Sequence, residues 1–228
     1  MQQRRVFSSE LAYALGIAAL ALGTAFMERA DYGVSMVVAP AYLVYLKLSH
    51  ALPFFTFGMA EYSLQAVLLA ALFLVLRRFE PKCLFSFLTA VIYGFTLDGC
   101  MALVALLPGA GTAARLVFYV LGLIVCAAGV SLLFHTYIPP EVYELFVKTL
   151  SEKLGADVHR VKTVYDCVSC AVGVALSFAF FGFGRFEGVK LGTIVCALVN
   201  GTLIGLCTRF LEERFEFRAT TKLRQKLS

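Results

Sequence analysis

Three acidic residues stand within or at the start of long apolar runs, where an ionised side chain is costly. Asp98 lies near the middle of the run 84–107, and Glu61 and Asp166 begin two further runs. An aspartate at the centre of a membrane helix costs roughly 2.5–3.5 kcal/mol, and such residues mark solute, ion or proton pathways. The sequence therefore predicts that these three carboxylates bind substrate. The alternative for Asp98 is an internal hydrogen bond or ion pair, and for Glu61 and Asp166 it is complementation of a helix N-terminal dipole.

Hydroxyl and amide side chains, beside these acids or at repeat-equivalent positions, complete the predicted substrate-binding site. They are Ser63, Thr96, Ser169, Asn200 and Thr202. An interior rich in acids and poor in lysine favours a cationic, amine-bearing or proton-coupled solute, because a buried negative charge needs a positive partner.

The elements that would position these residues are membrane helices. Apolar residues make up 60% of the 228 residues and charged residues 15%, against about 25% charged in soluble domains. At about 20 residues per crossing, the apolar runs predict an all-α polytopic membrane helix bundle with six transmembrane helices. The predicted spans are 11–27, 61–76, 84–107, 115–137, 164–183 and 191–211.

Positive residues flank these spans unevenly. Of the 20 Lys and Arg residues, fifteen fall on the side of the chain termini and five on the other. The positive-inside rule therefore predicts that both termini are cytoplasmic. Residues 212–228 are predicted to form a basic cytoplasmic tail near anionic headgroups. This topology signal accounts for the net charge of +5, so no nucleic-acid partner is expected.

The chain contains an internal repeat at an offset of 106 residues. Identical pairs include Gly16 with Gly122, Gly23 with Gly129, Ser63 with Ser169, Thr96 with Thr202 and Gly99 with Gly205. Three spans and one intervening segment superpose in each half, 1–108 and 109–211. Because three is odd, the halves must insert in opposite orientations. This predicts a 3+3 inverted-topology repeat, an architecture typical of secondary transporters, with the solute site at the midplane between the halves.

Two segments at equivalent places, 32–59 and 139–162, do not fit a simple helix count. The first is broken by two prolines and a glycine, and the second is an amphipathic helix that opens with Pro139-Pro140-Glu141. The spans that follow them are predicted to be the shortest, so interrupted or re-entrant chain must supply the remaining depth. Such chain has to be packed in protein or line a cavity. Whether residues 52–58 re-enter the membrane stays open.

Cysteines and catalytic motifs give little support for metal or enzyme chemistry. The seven cysteines lie in or beside apolar runs, which argues against a disulfide framework. Cys167 and Cys170, with His135, suggest a soft-metal site, but a single CxxC on a helix more often shares a packed face. No nucleophile elbow, P-loop or metalloprotease motif is present. We therefore expect no metal, no cofactor and no enzymatic activity.

Several stretches resemble the YczE-like group of bacterial integral membrane proteins, broadly related to the YitT type. They are Phe55-Thr56-Phe57-Gly58-Met59-Ala60-Glu61-Tyr62, Tyr165-Asp166-Cys167-Val168-Ser169-Cys170, Cys196-Ala197-Leu198-Val199-Asn200-Gly201 and Ala30-Asp31-Tyr32-Gly33-Val34-Ser35. The last departs from that group's Ala-Asp-Leu-Gly-Val-Ser-Pro turn at Tyr32 and Met36. The resemblance spans nearly the whole chain and implies a multi-pass protein of the bacterial plasma membrane. The group is functionally uncharacterised, so it implies no substrate or mechanism.

Together these features predict a small membrane transporter or channel for a small cationic, amine-bearing or proton-coupled solute. The alternative is a non-transporting accessory or scaffold protein that stabilises a membrane partner, since stripes of small residues such as Gly16 and Gly23 also serve helix association. The expected partners are the lipid bilayer and a small-molecule or ion substrate. The sequence leaves open whether the chain forms a homo-oligomer.

Overall fold

The protein is an α-helical bundle with a small sheet formed by its two ends. The computed structural model describes residues 5–76, 81–108, 111–156 and 158–219. The elements are β1 Arg5–Ser8, α1 Ser9–Ala30, α2 Ala39–Ser49, α3 Phe57–Leu76, α4 Pro81–Ala105, α5 Thr112–Phe134, α6 Val142–Leu154, α7 Val158–Phe181, α8 Leu191–Arg214 and β2 Phe215–Arg218. Six of these helices, α1, α3, α4, α5, α7 and α8, are long and apolar enough to cross a membrane. The prediction of an all-α multi-pass membrane protein is confirmed.

The spans expected to be shortest are longer than the apolar pattern suggested. Helix α3 begins at Phe57 and has 20 residues, which leaves it the shortest of the six, but α7 has 24 residues. The expectation of a short α7 is therefore wrong. Its first turns carry charged side chains such as Arg160 and Lys162, which ended the apolar run in sequence but do not end the helix.

Two half-length helices occupy the segments 32–59, predicted to be interrupted, and 139–162, predicted to be an amphipathic helix. Helix α2 has 11 residues with Pro40 in its first turn, and α6 has 13 residues after Pro139-Pro140. Each of them packs against both α3 and α7. Proline fits the first turn of a helix, where no backbone donor is needed. The prolines therefore start half-length helices, and neither helix is long enough to span a bilayer.

Antiparallel packing of α1 against α5 forms the most extensive helix contact in the described chain. The contact uses glycine at both ends. A Cβ atom at Gly16 would lie 3.1 Å from the carbonyl oxygen of Gly129, and one at Gly23 would lie 2.8 Å from that of Gly122. Small residues let two membrane helices approach closely. These glycines therefore serve packing within the chain.

The chain ends form a short parallel sheet beside the bundle. Helix α8 continues to Arg214, and β2 then pairs with β1 in a register that joins Arg5 to Phe215. The expected tail beginning at residue 212 is thus partly helix and partly strand. The rest of that tail, residues 220–228, lies outside the described residues, as do Arg4, Arg77 and Arg78 of the positive-charge pattern.

Candidate functional site

Asp98 binds the N-terminus of a neighbouring helix. Its Oδ2 accepts a hydrogen bond from the Thr56 hydroxyl at 2.7 Å, and its Oδ1 accepts one from the Gly58 N–H at 2.8 Å. The Thr56 hydroxyl oxygen also accepts from the Met59 N–H at 3.1 Å. Gly58 and Met59 lie in the first turn of α3, where N–H groups have no partner within the helix, and Thr56 immediately precedes this turn. Asp98 therefore caps α3 from α4, which is the internal hydrogen-bonding alternative given above.

Asp98 reaches the start of α3 because α3 and α4 approach each other closely at this point. A Cβ atom at Gly58 would overlap the carbonyl oxygen of Gly94 and lie 2.6 Å from Asp98 Oδ2. Glycine at both positions lets the backbones meet. The arrangement places a carboxylate between two helices without leaving either of its oxygens unpaired.

A second pair of acids is linked by a buried glutamine. Gln65 Nε2 donates to Glu61 Oε1 at 3.3 Å and to Glu141 Oε2 at 2.6 Å, while Gln65 Oε1 accepts from the Val142 N–H at 2.9 Å. Glu61, Gln65 and Glu141 are 1%, 1% and 3% exposed. Glu61 Oε2 and Glu141 Oε1 have no hydrogen-bond partner within the described chain. Burial raises the pKa of the Glu141 carboxyl well above its ordinary value, and the nearby Glu61 carboxylate raises it further.

Glu141 lines a cavity of about 80 Å³ at the centre of the bundle. Tyr93, Cys126 and Asn200 also line it, and each lies within three residues of the middle of its apolar span. The cavity is therefore near mid-depth. Both half-length helices point their N-terminal ends at it, since Ser35, Val37 and Val38 before α2 and Glu141, Tyr143 and Glu144 at the start of α6 belong to the lining.

A wider cleft of about 240 Å³ adjoins this cavity between α7 and α8. Asp166 and Lys162 from α7 and Asn200 from α8 face it. Lys162 Nζ lies 3.8 Å from Asp166 Oδ1, beyond hydrogen-bonding distance, and Asn200 Oδ1 is buried without a donor among the described residues. Over their described residues α7 and α8 make at most slight contact, whereas α3 and α4 pack closely.

The central cavity extends toward one end of the bundle, and at the other end a turn and a loop are bound to each other. A third cavity of about 430 Å³ lies between the end of α5 and α6 and shares Phe134, Glu144 and Lys162 with the central one. At the opposite end the turn after α1 is bound to the loop before α8. Asp31 Oδ1 lies 2.6 Å from Lys190 Nζ, and backbone hydrogen bonds join Val34 N–H to Gly188 and Gly192 N–H to Tyr32. Arg115 adds a 3.7 Å ion pair with Asp31.

The residues predicted to bind substrate are therefore not gathered at one point. Asp166 and Asn200 line the cleft, and Glu61 reaches the central cavity through Gln65 and Glu141. Ser169 is buried on α7, and Thr96 donates to the Ile92 carbonyl of its own helix. Ser63 and Thr202 are exposed on the outside of α3 and α8.

Sequence reasoning missed Gln65, Tyr93 and Glu141 as lining or linking residues. Glu141 carried a signal, because it follows the proline pair that starts α6 and falls at the repeat position of Ser35, which also lines the cavity. Gln65 and Tyr93 had none, since a single polar residue in an apolar run does not reveal which face of the helix it occupies. No group of three metal-ligating side chains occurs in the described ranges, and His135 lies 3.6 Å from Glu212.

Comparison with known proteins places the chain in a family without assigning an activity. Neither a curated protein nor a solved structure matches it. A family model described as "Family of unknown function (DUF6198)" matches residues 7–209, which include all six apolar spans except the last turns of α8. The chain belongs to this family, DUF6198.

Proposed function

We propose that the protein is a small transporter or channel that moves a small cationic or amine-bearing solute through the central cavity and the cleft between α7 and α8. The observation that carries the proposal is a mid-depth cavity whose lining includes buried carboxylate and amide oxygens with no hydrogen-bond donor among the described residues. Buried polar groups in native structures are normally paired. Unpaired acceptors at mid-depth indicate a ligand that supplies donors or positive charge.

The charge of the lining favours a cation. Glu141, Glu144 and Asp166 face the two connected cavities, and Lys162 is the one cation among their described lining residues. An ionised carboxylate is costly away from water unless it is paired. The volumes of about 80 and 240 Å³ lie below the roughly 300–1,000 Å³ of drug-sized ligand pockets. The solute is therefore an inorganic cation or a small amine.

We further propose that the two halves form the 3+3 inverted repeat. The offset of 106 residues relates Gly16 to Gly122 and Gly23 to Gly129. The contact of Gly16 with Gly129 is therefore the repeat equivalent of the contact of Gly122 with Gly23. The same shift relates Ser35 to Glu141, which lie beside the starts of the two half-length helices. Half-helix N-termini that meet near the midplane at a repeat interface are a common transporter arrangement.

The two halves differ where the site would be. The Gly58 and Gly94 pair that lets α3 and α4 touch corresponds to Val164 and Asn200 in α7 and α8. Asn200 lines the cleft between the second pair of helices, where the first half has the Gly94 contact. Asp98, which caps α3, corresponds to Ile204, so the second half has no equivalent interhelical cap. Because of this asymmetry, the proposed solute path lies in the second half, between α7 and α8.

Access from one end completes the proposal. The third cavity lies where α5 ends, which the positive-inside rule assigns to the cytoplasm, and Asp31 and Lys190 are paired at the opposite end. We propose an inward-open state of a protein of the bacterial plasma membrane, consistent with the resemblance to the YczE-like group. The proposal includes no enzymatic step and no cofactor.

The test is a ligand screen by thermal stability on purified protein, across inorganic cations, amines, amino acids and nucleobases. A ligand that binds only the folded state raises stability as RT ln(1 + [L]/Kd). We expect a cationic ligand to stabilise the parent and to lose this effect in Asn200→Ala and Glu141→Gln. Ser63→Ala and Thr202→Ala are matched controls, because these polar side chains are exposed on the outer faces of the spans and should leave the shift unchanged.

Two outcomes would overturn the proposal. A shift that survives both cavity variants would place the ligand elsewhere. Absence of any shift, together with greater stability of Glu141→Gln than of the parent, would leave unpaired acids without a ligand and favour the accessory or scaffold function.

A further inference from the structure

Glu61 and Glu141, the two acids linked by Gln65, form a site beside the proposed solute path. Both N–H groups of the Gln65 amide are occupied, one by Glu61 and one by Glu141, and its oxygen accepts from the Val142 backbone. A backbone N–H can only donate, so this contact fixes which end of the amide faces the acids. The amide can satisfy one oxygen of each carboxylate and no more.

The remaining oxygen of each carboxylate has no hydrogen-bond donor among the described residues. Glu61 Oε2 and Glu141 Oε1 are unpartnered in the part of the chain that the structure describes, and both side chains are almost fully buried. The titratable and charged groups around the pair, from α1, α4, α6 and α7, are Tyr13, Tyr93, Tyr143, Glu144, Lys162 and Tyr165. Lys162 is the one cation among them, and it lies 3.8 Å from Asp166. Two adjacent buried carboxylates without a dedicated cation cannot both remain ionised at low cost.

We infer that Glu61, Gln65 and Glu141 together hold one exchangeable proton at mid-depth in the bundle. The proton is taken from water in the central cavity and adds to Glu141 Oε1, which lines that cavity, or to Glu61 Oε2 behind it. The new O–H bond at the carboxylate replaces one O–H bond of a hydronium ion, which becomes a water molecule. The hydroxyl so formed is a donor, and the pair then carries a single negative charge.

A proton fits this site better than a metal ion does. Gln65 Nε2 lies between the two carboxylates, at 2.6 and 3.3 Å from one oxygen of each. A metal ion that bridged the same oxygens would have to displace this nitrogen. Hard cations also need six or more oxygen ligands, which two carboxylates cannot supply alone.

The use of this proton in transport rests on the proposed function. Glu141 belongs both to the proton site and to the wall of the solute cavity. A cationic solute that binds at Glu141 stabilises its ionised form and thereby favours release of the proton. Solute and proton would then compete for one carboxylate, which is the exchange step of a proton-coupled antiporter.

Infrared difference spectroscopy on the protein in lipid membranes tests the proton site without a solute. The probe is the carbonyl-stretch band of a protonated carboxylic acid, recorded as the buffer is changed from mildly acidic to mildly alkaline. We expect the parent to show a titrating band that shifts in D2O and that is lost in the double variant E61Q/E141Q. Glu216→Gln, which replaces the carboxyl group of a side chain that is 48% exposed on β2, should leave the band unchanged.

Single variants keep the test decisive if the double variant does not fold. Glu61→Gln and Glu141→Gln each remove the neighbouring charge that raises the proton affinity of the other acid, so each should lower the pH midpoint of the band. A band that is unchanged in all three variants would refute the proton site. Loss of the band with solute binding and uptake intact would keep the proton site and refute only its role in coupling.

Discussion

Replacing Asp98 tests whether this membrane acid is a structural cap. Asp98→Ala removes two hydrogen bonds to an ionised acceptor, those from Thr56 at 2.7 Å and from Gly58 at 2.8 Å. Such bonds contribute about 1.5–3 kcal/mol each, and part of this is returned because the half-buried carboxylate no longer has to be desolvated. We expect a loss of about 2–4 kcal/mol for Ala, which is at or above the upper end of about 2 kcal/mol for measured cap deletions.

Asp98→Asn should cost about half as much. The Asn oxygen can keep the Gly58 N–H, but its amide N–H then faces the Thr56 hydroxyl. That hydroxyl must turn from donor to acceptor while its oxygen already accepts from Met59. The neutral acceptor also interacts less favourably with the positive end of α3.

The assay is reversible unfolding of the purified protein in mixed micelles, followed by circular dichroism. Thr96→Ala is the matched control, since Thr96 lies two residues away on α4 and bonds only its own helix, and it should change stability by less than about 0.5 kcal/mol. A double-mutant cycle between Thr56→Ala and Asp98→Ala should show coupling of about 1 kcal/mol or more. If Asp98→Asn is as stable as the parent or more stable, the cap does not stabilise the fold. Asp98 would then again be a candidate for binding the solute.

Three further predictions follow from packing, titration and the closed end. Gly58→Val should destabilise the bundle by about 1–3 kcal/mol or more through overpacking. Gly201→Val should not, because a Cβ atom at Gly201 meets open space. Equal stabilities of the two variants in the same unfolding assay would contradict the close approach of α3 and α4. The raised pKa of Glu141 means that the folded state binds more protons than the unfolded state. Stability should therefore fall as pH rises above the ordinary carboxyl value of about 4.3, by up to about 1.4 kcal/mol per pH unit. Glu141→Gln should flatten this slope, and an unchanged slope would be inconsistent with a raised pKa at Glu141. Lys190→Ala removes the 2.6 Å contact with Asp31 and should speed amide hydrogen exchange in the loop 182–190, while unchanged protection would show that backbone bonds alone hold that end closed.

The sequence predicted the class of fold because lipid imposes a strong constraint on it. Only helices or closed barrels satisfy backbone groups inside a bilayer, so long apolar runs identify membrane helices directly. Pro139-Pro140 also predicted the start of the second half-length helix, whereas Pro40 was interpreted as an interruption and lies in the first turn of α2. Helix ends were less certain, because α7 continues through polar residues that an apolar pattern excludes.

Assignment of the acids needed the tertiary structure. Asp98 and Glu61 are both single carboxylates in apolar helices, and nothing in their flanking residues distinguishes them. Asp98 accepts from the Gly58 N–H and the Thr56 hydroxyl at the start of α3 because two glycines let α4 approach, so both of its oxygens are paired. Glu61 meets a glutamine that it must share with Glu141, 80 positions along the chain, so an oxygen of each acid is left over.

What the sequence determined by itself was the number of apolar spans, the all-helical class and the presence of acids too costly to be incidental. These follow from local composition, because burial in lipid is decided span by span. What the tertiary structure alone decided was which acid is paired and which is not, and where the cavity lies. Those depend on which helix faces meet, and that is set by side-chain volumes on different helices, such as Gly58 and Gly94 in contact and Asn200 beside the open cleft.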